Sequence, residues 1–479
     1  MLRPLKILFA TSEVRPLIKT GGLADVSSSL PAALRDLGLD CRLLVPGYPA
    51  VLAQCGDLTP VAELPNTLLG SARLLEGRMP DTGVPVYVLD APRAYQRPGG
   101  PYQDTTGQDH ADNAERFALL SQIAAQLCAV NSPIDWRPDC LHCNDWQTGL
   151  APAYLHFAGR PTPSLITIHN LAFQGVYASS ALPRLSLPPE SFAVHGLEYY
   201  GGLSFLKAGL YYSDWITTVS PRYALEIQAE PLGMGMQGLL QQRSHQLTGI
   251  LNGIDTADWN PSSDLHLAHS FTYRAMAGKR RCKSALQAEL GLAQSAEAPL
   301  FGVVSRLTHQ KGLDWILQIA QGILAQGGQI AILGTGEPLL EMGFKQLAQQ
   351  HPQQVAAFIG YDEGLSHRIE AGADLFLMPS RFEPCGLNQM YSQRYGTLPI
   401  VRETGGLADS VTDGVDGFSF IGDTAHALWT TVERALAAYQ DSPLWRRLQQ
   451  TAMRKDASWE KSAHEYAALY AQLVAPART

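Results

Sequence analysis

The sequence predicts an α/β protein built from two successive Rossmann-like domains, each a doubly wound parallel sheet. Three observations predict this. Short apolar runs alternate with stretches of helical periodicity along all 479 residues. The apolar runs are continuous rather than alternating, as in parallel strands covered by helices on both faces. The string Thr-Gly-Gly-Leu-Ala-Asp occurs twice, at 20–25 and 404–409, once in each half.

In chain order, KILFAT supplies the first strand, Ile7–Thr11. The apolar run there is too short for a signal peptide's core, and no cleavage site follows. CRLLVP, VPVYVLDA, CLHC, SLITIHN and WITTVS read as the next strands. Between them NAERFALLSQIAAQLCAV repeats Phe117, Leu120, Ile123 and Leu127 at helical spacing. The second half repeats the scheme with LFGVVSR, QIAILG, AAFIGY, LFLMPS and LPIVRE, and with helices in GLDWILQIAQGILAQG and LSHRIEAGADL. The join is expected between Gln246 and Asn252, giving domains 1–247 and 248–457. The amphipathic segment 458–479 either caps the second domain or returns to the first.

Composition excludes several function classes. The 36 Lys and Arg against 44 Asp and Glu leave a net charge of −8, with no cation surplus for a nucleic-acid partner. The basic run Lys279–Lys283 leads into helical sequence and is expected as a solvated face. Seven cysteines form no framework, and Cys140 and Cys143 lack the second pair of a zinc site, so free thiols in a reducing cytoplasm are expected. No run of about 18 apolar residues predicts a membrane span.

The candidate chemistry lies at strand ends, where open α/β sheets bind ligands. Each Thr-Gly-Gly turn lets backbone approach a ligand, and the helix N-terminus behind it favours an anion. Arg306 and Lys311 in GVVSRLTHQKG are placed to clamp a diphosphate. Glu383, in PSRFEPCGLNQ, offers a carboxylate to an oxocarbenium-like centre. His169 and Asn170, in SLITIHNLAFQG, and Asp145 beside Trp146 offer hydrogen bonds to a sugar. There is no D-x-D, so a carboxylate-held metal is unsupported and no metal or other cofactor is expected. Neither a P-loop signature nor a G-x-S-x-G elbow occurs.

KTGGLADV, HCNDW, TIHNLAFQG, TVSPRYALEI, NGID, SRLTHQKG, PSRFEPCGLNQ and GTLPIVRETGGLADSV, in that order, resemble the bacterial glycogen synthases that use ADP-glucose, a family shared with plant starch synthases. The resemblance covers nearly the whole chain. It implies the GT-B fold, two Rossmann-like domains facing across a deep cleft, with the last helix crossing back to the first. It implies retaining transfer of glucose from ADP-glucose to the non-reducing 4-hydroxyl of an α-1,4-glucan, with these two as expected partners and neither nucleic acid nor membrane among them. Lys19, Gly21 and Gly22 match the nucleotide-sugar loop. Arg306 and Lys311 match the cations that neutralise the leaving ADP. His169 matches a contact of the transferred glucose, with Asp145 and Asn170 beside it. Glu383 matches the carboxylate opposite the anomeric carbon. Cys385, Gly386 and Leu387 follow along the donor glucose. Thr404, Gly405 and Gly406 approach the phosphates, Asn252 is on the sugar side, and Tyr361 matches an adenine-stacking ring. Two positions depart from common patterns. Tyr391 stands where many other retaining GT-B enzymes carry a second Glu, and Asn388 where many bacterial relatives carry Thr.

Rival readings are a non-catalytic glucan-binding scaffold, a dinucleotide oxidoreductase and a glucan phosphorylase. Intact Lys19, Arg306, Lys311 and Glu383 argue against the scaffold. The oxidoreductase lacks a G-x-G-x-x-G with its acidic partner, since GTGEPLLEMG has Pro338 and no third glycine in place. A phosphorylase would need a pyridoxal-bearing lysine.

Overall fold

The computed structural model describes residues 3–159 and 162–475. The chain forms two compact units, residues 1–252 together with 459–479, and residues 253–458.

The first unit contains β1 (Lys6–Ala10), β2 (Asp40–Pro46), β3 (Thr59–Thr67), β4 (Gly70–Arg78), β5 (Pro85–Asp90), β6 (Cys140–Asn144) and β7 (Ser164–Ile168). The short strands β8 (Val176–Ala178), β9 (Glu198–Tyr199) and β10 (Gly202–Ser204) form a separate three-stranded sheet. With β11 (Trp215–Thr218) and β12 (Leu247–Gly249), the main sheet has nine strands in the order β12-β11-β7-β6-β1-β2-β5-β4-β3. Its strands are parallel from β12 to β5. At the far edge β4 and β3 run antiparallel, which the all-parallel expectation did not include. The reason is local: TPVAELPNT and GSARLLEGR mix exposed with covered positions, unlike strands covered on both faces. By contrast β5, β6 and β7 are buried along their whole length.

The boundary between units follows Asn252 rather than residue 247. Leu247–Gly249 is held in the first sheet by pairing with β11. The helix Glu460–Val474 belongs to the first unit. Its Tyr470 hydroxyl is 2.7 Å from Nδ1 of buried His142 in β6, and Ser462 donates to the Leu251 carbonyl at 2.5 Å.

The second unit has six parallel strands, β13 (Leu300–Val304), β14 (Gln329–Gly334), β15 (Val355–Ile359), β16 (Leu375–Met378), β17 (Leu398–Arg402) and β18 (Phe418–Phe420), ordered β15-β14-β13-β16-β17-β18. Helices Leu313–Ala325, Pro338–Gln350 and Ala425–Gln440 bury Ile316, Ile323, Phe344 and Val432 in one large core. A second core joins Leu286 of helix Ala277–Glu289 and Ile369 of helix Glu363–Gly372 to Leu300, Leu333 and Phe376. Interior side chains on both faces are what long apolar strands require.

The basic run is not a solvated face. Lys279 and Lys283 are buried, while Arg280 and Arg281 are exposed. Lys279 donates to Ala371 O and Thr397 Oγ1 at 3.1 and 2.6 Å, and Lys283 pairs with Asp374 at 2.7 Å. Helical spacing turns positions 279 and 283 inward together, and buried ammonium groups persist only with such partners. All seven cysteines are buried and none forms a disulfide. No helix among the described residues is long and apolar enough to cross a membrane.

Candidate active site

In the second unit the candidate residues stand on loops leaving the carboxyl ends of three neighbouring strands, β13, β16 and β17. After β13 the chain turns through 305–312, with Gly312 left-handed at φ +70°. A Cβ on Gly312 would stand 2.1 Å from the Pro379 carbonyl oxygen, so only glycine lets this loop close on the loop after β16. That approach puts Lys311 Nζ 2.5 Å from Glu383 Oε2, which also accepts from Ser380 Oγ at 3.0 Å. The sequence assigned Lys311 and Glu383 separate tasks; the fold makes them one part-buried ion pair. Arg306 is exposed, with Gln310 Oε1 at 3.4 Å.

Two residues outside the sequence-based set hold these loops. Arg381 donates to the His309 carbonyl at 2.5 Å and to both oxygens of Asp314 at 2.7 and 2.9 Å, and its guanidinium lies 4.0 Å from the Trp315 ring centroid. Asn388 donates to the Val304 carbonyl at 2.7 Å, fixing the helix start behind Leu387 to β13. Cys385 is buried, and Gly386 is left-handed at φ +70°. Tyr361 is 73% exposed, and its hydroxyl donates to Glu363.

In the first unit the set leaves the ends of neighbouring β1, β6 and β7. Asp145 follows β6 with φ +54°, an uncommon conformation for a non-glycine residue. Its Oδ1 accepts from the His169 and Asn170 amides at 2.7 and 3.4 Å, tying the two strand ends together. Burial pushes its carboxyl up to about 7, against the pull of those hydrogen bonds. Burial drives His169 down to about 3, so its ring is neutral. Asn144 donates through Nδ2 to Ala10 O at 3.0 Å and turns Oδ1 to His169 Nε2 at 2.9 Å. The neutral imidazole therefore carries its proton on Nε2 and leaves Nδ1 as an acceptor. Asn170 Oδ1 accepts from Ala172 N at 3.0 Å. Asn252 is buried, and its Oδ1 has no hydrogen-bond partner among the described residues.

The two glycine turns, identical in sequence, differ in structure. In the first, Gly21 is the cap of helix Gly22–Asp36, extended at φ −157°. Its amides are not all left for a ligand. Thr20 N and Gly21 N donate to Glu13 Oε2 at 2.5 and 3.2 Å, and Thr20 Oγ1 to Oε1 at 2.6 Å. Lys19 pairs with Asp25 at 3.0 Å. In the second, Thr404 caps helix Gly405–Ser410, and Gly405 is left-handed at φ +45°. Gly406 N is 3.2 Å from Glu383 O, so this copy packs on the Glu383 loop itself.

Glu13 is the residue that sequence reasoning missed here. It is buried and also accepts from the Tyr102 hydroxyl, 89 positions away, which in turn lies 2.8 Å from Ser12 Oγ and 3.0 Å from Gln147 Nε2. An acid eight residues before Gly21 was the available signal for Glu13; nothing local marked Tyr102.

Among proteins of known family, the model described as starch synthase catalytic domain matches residues 6–242, and that described as glycosyl transferases group 1 matches residues 292–454. The chain is 53% identical to a glycogen synthase of Nitrosomonas eutropha, over 98% of this chain and 96% of that protein. It is 54% identical to a glycogen synthase of Aromatoleum aromaticum, over 99% of this chain and 98% of that protein. The chain belongs to the glycogen synthase family. Among solved structures of this family it is similar to the catalytic domain of starch synthase IV from Arabidopsis thaliana, bound to ADP and acarbose. There the TM-score is 0.87 at 32% identity, covering 98% of this chain and 99% of that one. Membership makes the protein a glycosyltransferase of the GT-B fold. It also excludes the oxidoreductase reading and gives the candidate residues one chemistry to serve.

Proposed function

We propose that the protein is a glycogen synthase, transferring glucose from ADP-glucose with retention to the non-reducing 4-hydroxyl of an α-1,4-glucan. The observation that carries this reading is the part-buried Lys311–Glu383 pair at 2.5 Å, on loops that leave adjacent strands. Glucosyl transfer needs negative charge facing the anomeric centre and positive charge on the departing diphosphate. Glu383 supplies the first. Lys311 has three donors, so one can hold Glu383 while others meet phosphate oxygens, with Arg306 beside it. The charge of the leaving ADP falls to these cations, and no metal or other cofactor takes part.

Thr404, Gly405 and Gly406 act at the phosphates, Cys385, Gly386 and Leu387 along the donor glucose, and Tyr361 under adenine. Lys19, Gly21 and Gly22 form the nucleotide-sugar loop. Neutral His169 accepts a sugar hydroxyl at Nδ1, held by Asn144 and Asp145; Asn170 and Asn252 offer further amide contacts. The ADP and acarbose of the starch synthase IV structure support a nucleotide donor and a glucan acceptor. Seven cysteines with no disulfide among them support a cytoplasmic setting.

The test is ADP release from ADP-glucose, with and without glycogen, against UDP-glucose, with and without a chelator, and in Lys19→Gln. Glycogen-dependent release that favours ADP-glucose, survives chelation and weakens in the variant is expected. No release from either donor by folded protein would shift the reading to a glucan-binding scaffold.

A further inference from the structure

Trp259 lies in the irregular segment before helix Ala277–Glu289 and is 5% exposed. Its indole stacks on His367, with ring centroids 3.7 Å apart and planes 13° from parallel. It stacks equally on Tyr391, at 3.7 Å and 10°. Two rings cannot share one face at that distance, so the indole is sandwiched between them.

His367 and Tyr391 stand on helices Glu363–Gly372 and Asn388–Arg394. Each of these helices begins where a loop of the candidate site ends, one loop carrying Tyr361 and the other Glu383 to Leu387. Polar contacts extend the sandwich towards the first loop. His367 Nδ1 is 2.8 Å from Asp264 Oδ2, which also accepts from the Tyr395 hydroxyl at 2.5 Å. On the other side of the ring His367 Nε2 is 3.8 Å from Glu363, the acceptor of the Tyr361 hydroxyl.

We propose that Trp259 is a positioning residue for the donor: by separating His367 from Tyr391 it sets the spacing of the Tyr361 loop and the Glu383–Leu387 loop. The inference rests on the donor roles given to those loops above. It also gives Tyr391 a task. Here the position is turned into the sandwich and works through it. Stacked rings are stiff spacers with few rotamers, so the spacing is set by ring thickness rather than by flexible side chains.

The charge of His367 belongs to the same device. Burial opposes it, but hydrogen bonds to Asp264 and Glu363 outweigh burial and push the imidazole up to about 9. The groups that face it are Asp258, Asp264 and His266 from the Trp259 segment, Glu363 from its own helix, and Tyr395 after the third element.

The test uses the full chain carrying Trp259→Leu, Trp259→Phe or His367→Gln. Leu265→Ser, a change at a 98% exposed position of the same segment, is the control. Circular dichroism checks folding, and steady-state ADP release gives separate KM values for ADP-glucose and glycogen. Loss of the spacer is expected to raise KM for ADP-glucose by about tenfold or more in Trp259→Leu, with glycogen KM held within about twofold and Trp259→Phe restoring most of the loss. The parent's donor KM is expected to increase above about pH 9, as His367 loses its proton, and His367→Gln to raise donor KM and abolish that pH dependence. A folded Trp259→Leu with unchanged donor KM, or with both KM values raised alike, overturns the proposal. Should Trp259→Leu fail to fold, unchanged donor KM in folded His367→Gln overturns it instead. Absence of ADP release in the unaltered protein would strike the functional reading itself, not this inference.

Discussion

Alanine at Gly405 and at Gly21 separates what glycine does in two copies of one turn. At Gly405 the backbone is left-handed at φ +45°, and a Cβ would stand 1.9 Å from Glu383 O. A side chain in that conformation costs roughly 1–2 kcal/mol by itself. An ordinary carbon–oxygen contact is about 3.3 Å, so the two residues must part by about 1.4 Å. Moving a reacting group by ~1 Å costs about 10²-fold in rate. At Gly21 the backbone is extended and nothing lies within 4 Å of a Cβ, so alanine meets no obstacle inside the protein. The glycine there has no internal reason to be small, and under the proposed function its reason is close approach of the donor. The assay is ADP release at varied ADP-glucose, with thermal midpoints measured alongside. Gly405→Ala is expected to lower kcat by about 10²-fold and to lower the midpoint. Gly21→Ala is expected to keep the midpoint and raise the donor KM. Full turnover in Gly405→Ala would refute the steric reasoning, and an unchanged donor KM in Gly21→Ala would refute the reading of the first turn.

Lys311→Ala and Glu383→Ala are each expected to cut turnover by about 10²–10³-fold in folded protein, and the double variant to lose less than the product of the two, because each single change strands the other charge. Multiplicative losses in the cycle would show that the pair does not act as one unit. Asp145 has a folded-state value of about 7 against an ordinary 3.8, so the folded form holds a proton that the unfolded form has lost. Its contribution to stability is full below about pH 4 and is lost as pH rises through about 7. Asp145→Asn, which tolerates positive φ, should therefore gain thermal midpoint over the parent as pH rises from about 4 to about 8; parallel melting curves would contradict this. Both carboxylate oxygens of Glu370 are buried without a hydrogen-bond partner among the described residues, and burial raises its pKa. Glu370→Met is expected to stabilise the second unit by about 1 kcal/mol in urea unfolding at pH 8, and a loss of stability there would reveal an interaction that sustains the charge.

Much of this protein was legible from its residues in order. The strands buried on both faces announced themselves as apolar runs, because a parallel sheet has no wet face to punctuate them. Strands β3 and β4 were missed for the complementary reason: five of nine residues in β3 and three of nine in β4 are exposed, and Pro60 and Pro65 disguise the first. Asp145, His169, Arg306, Lys311 and Glu383 could be named because strand ends of open α/β sheets are where ligands meet the chain. The burial of Lys279 and Lys283 could not be named, since their partners Thr397 and Asp374 lie about a hundred residues away.

By itself the sequence determined the fold class, the family, and which side chains stand at the ends of which strands. All of these follow from local pattern and from motif order. Only the tertiary structure decided which of those side chains meet. It paired Lys311 with Glu383 through the close approach of Gly312 to Pro379, and gave Glu13 two amides of the first glycine turn. It also set Trp259 between two helices that the chain visits more than a hundred residues later. Contacts of that kind depend on how strands are ordered across a sheet and how closely two backbones can approach. Neither quantity is written in any short stretch of residues.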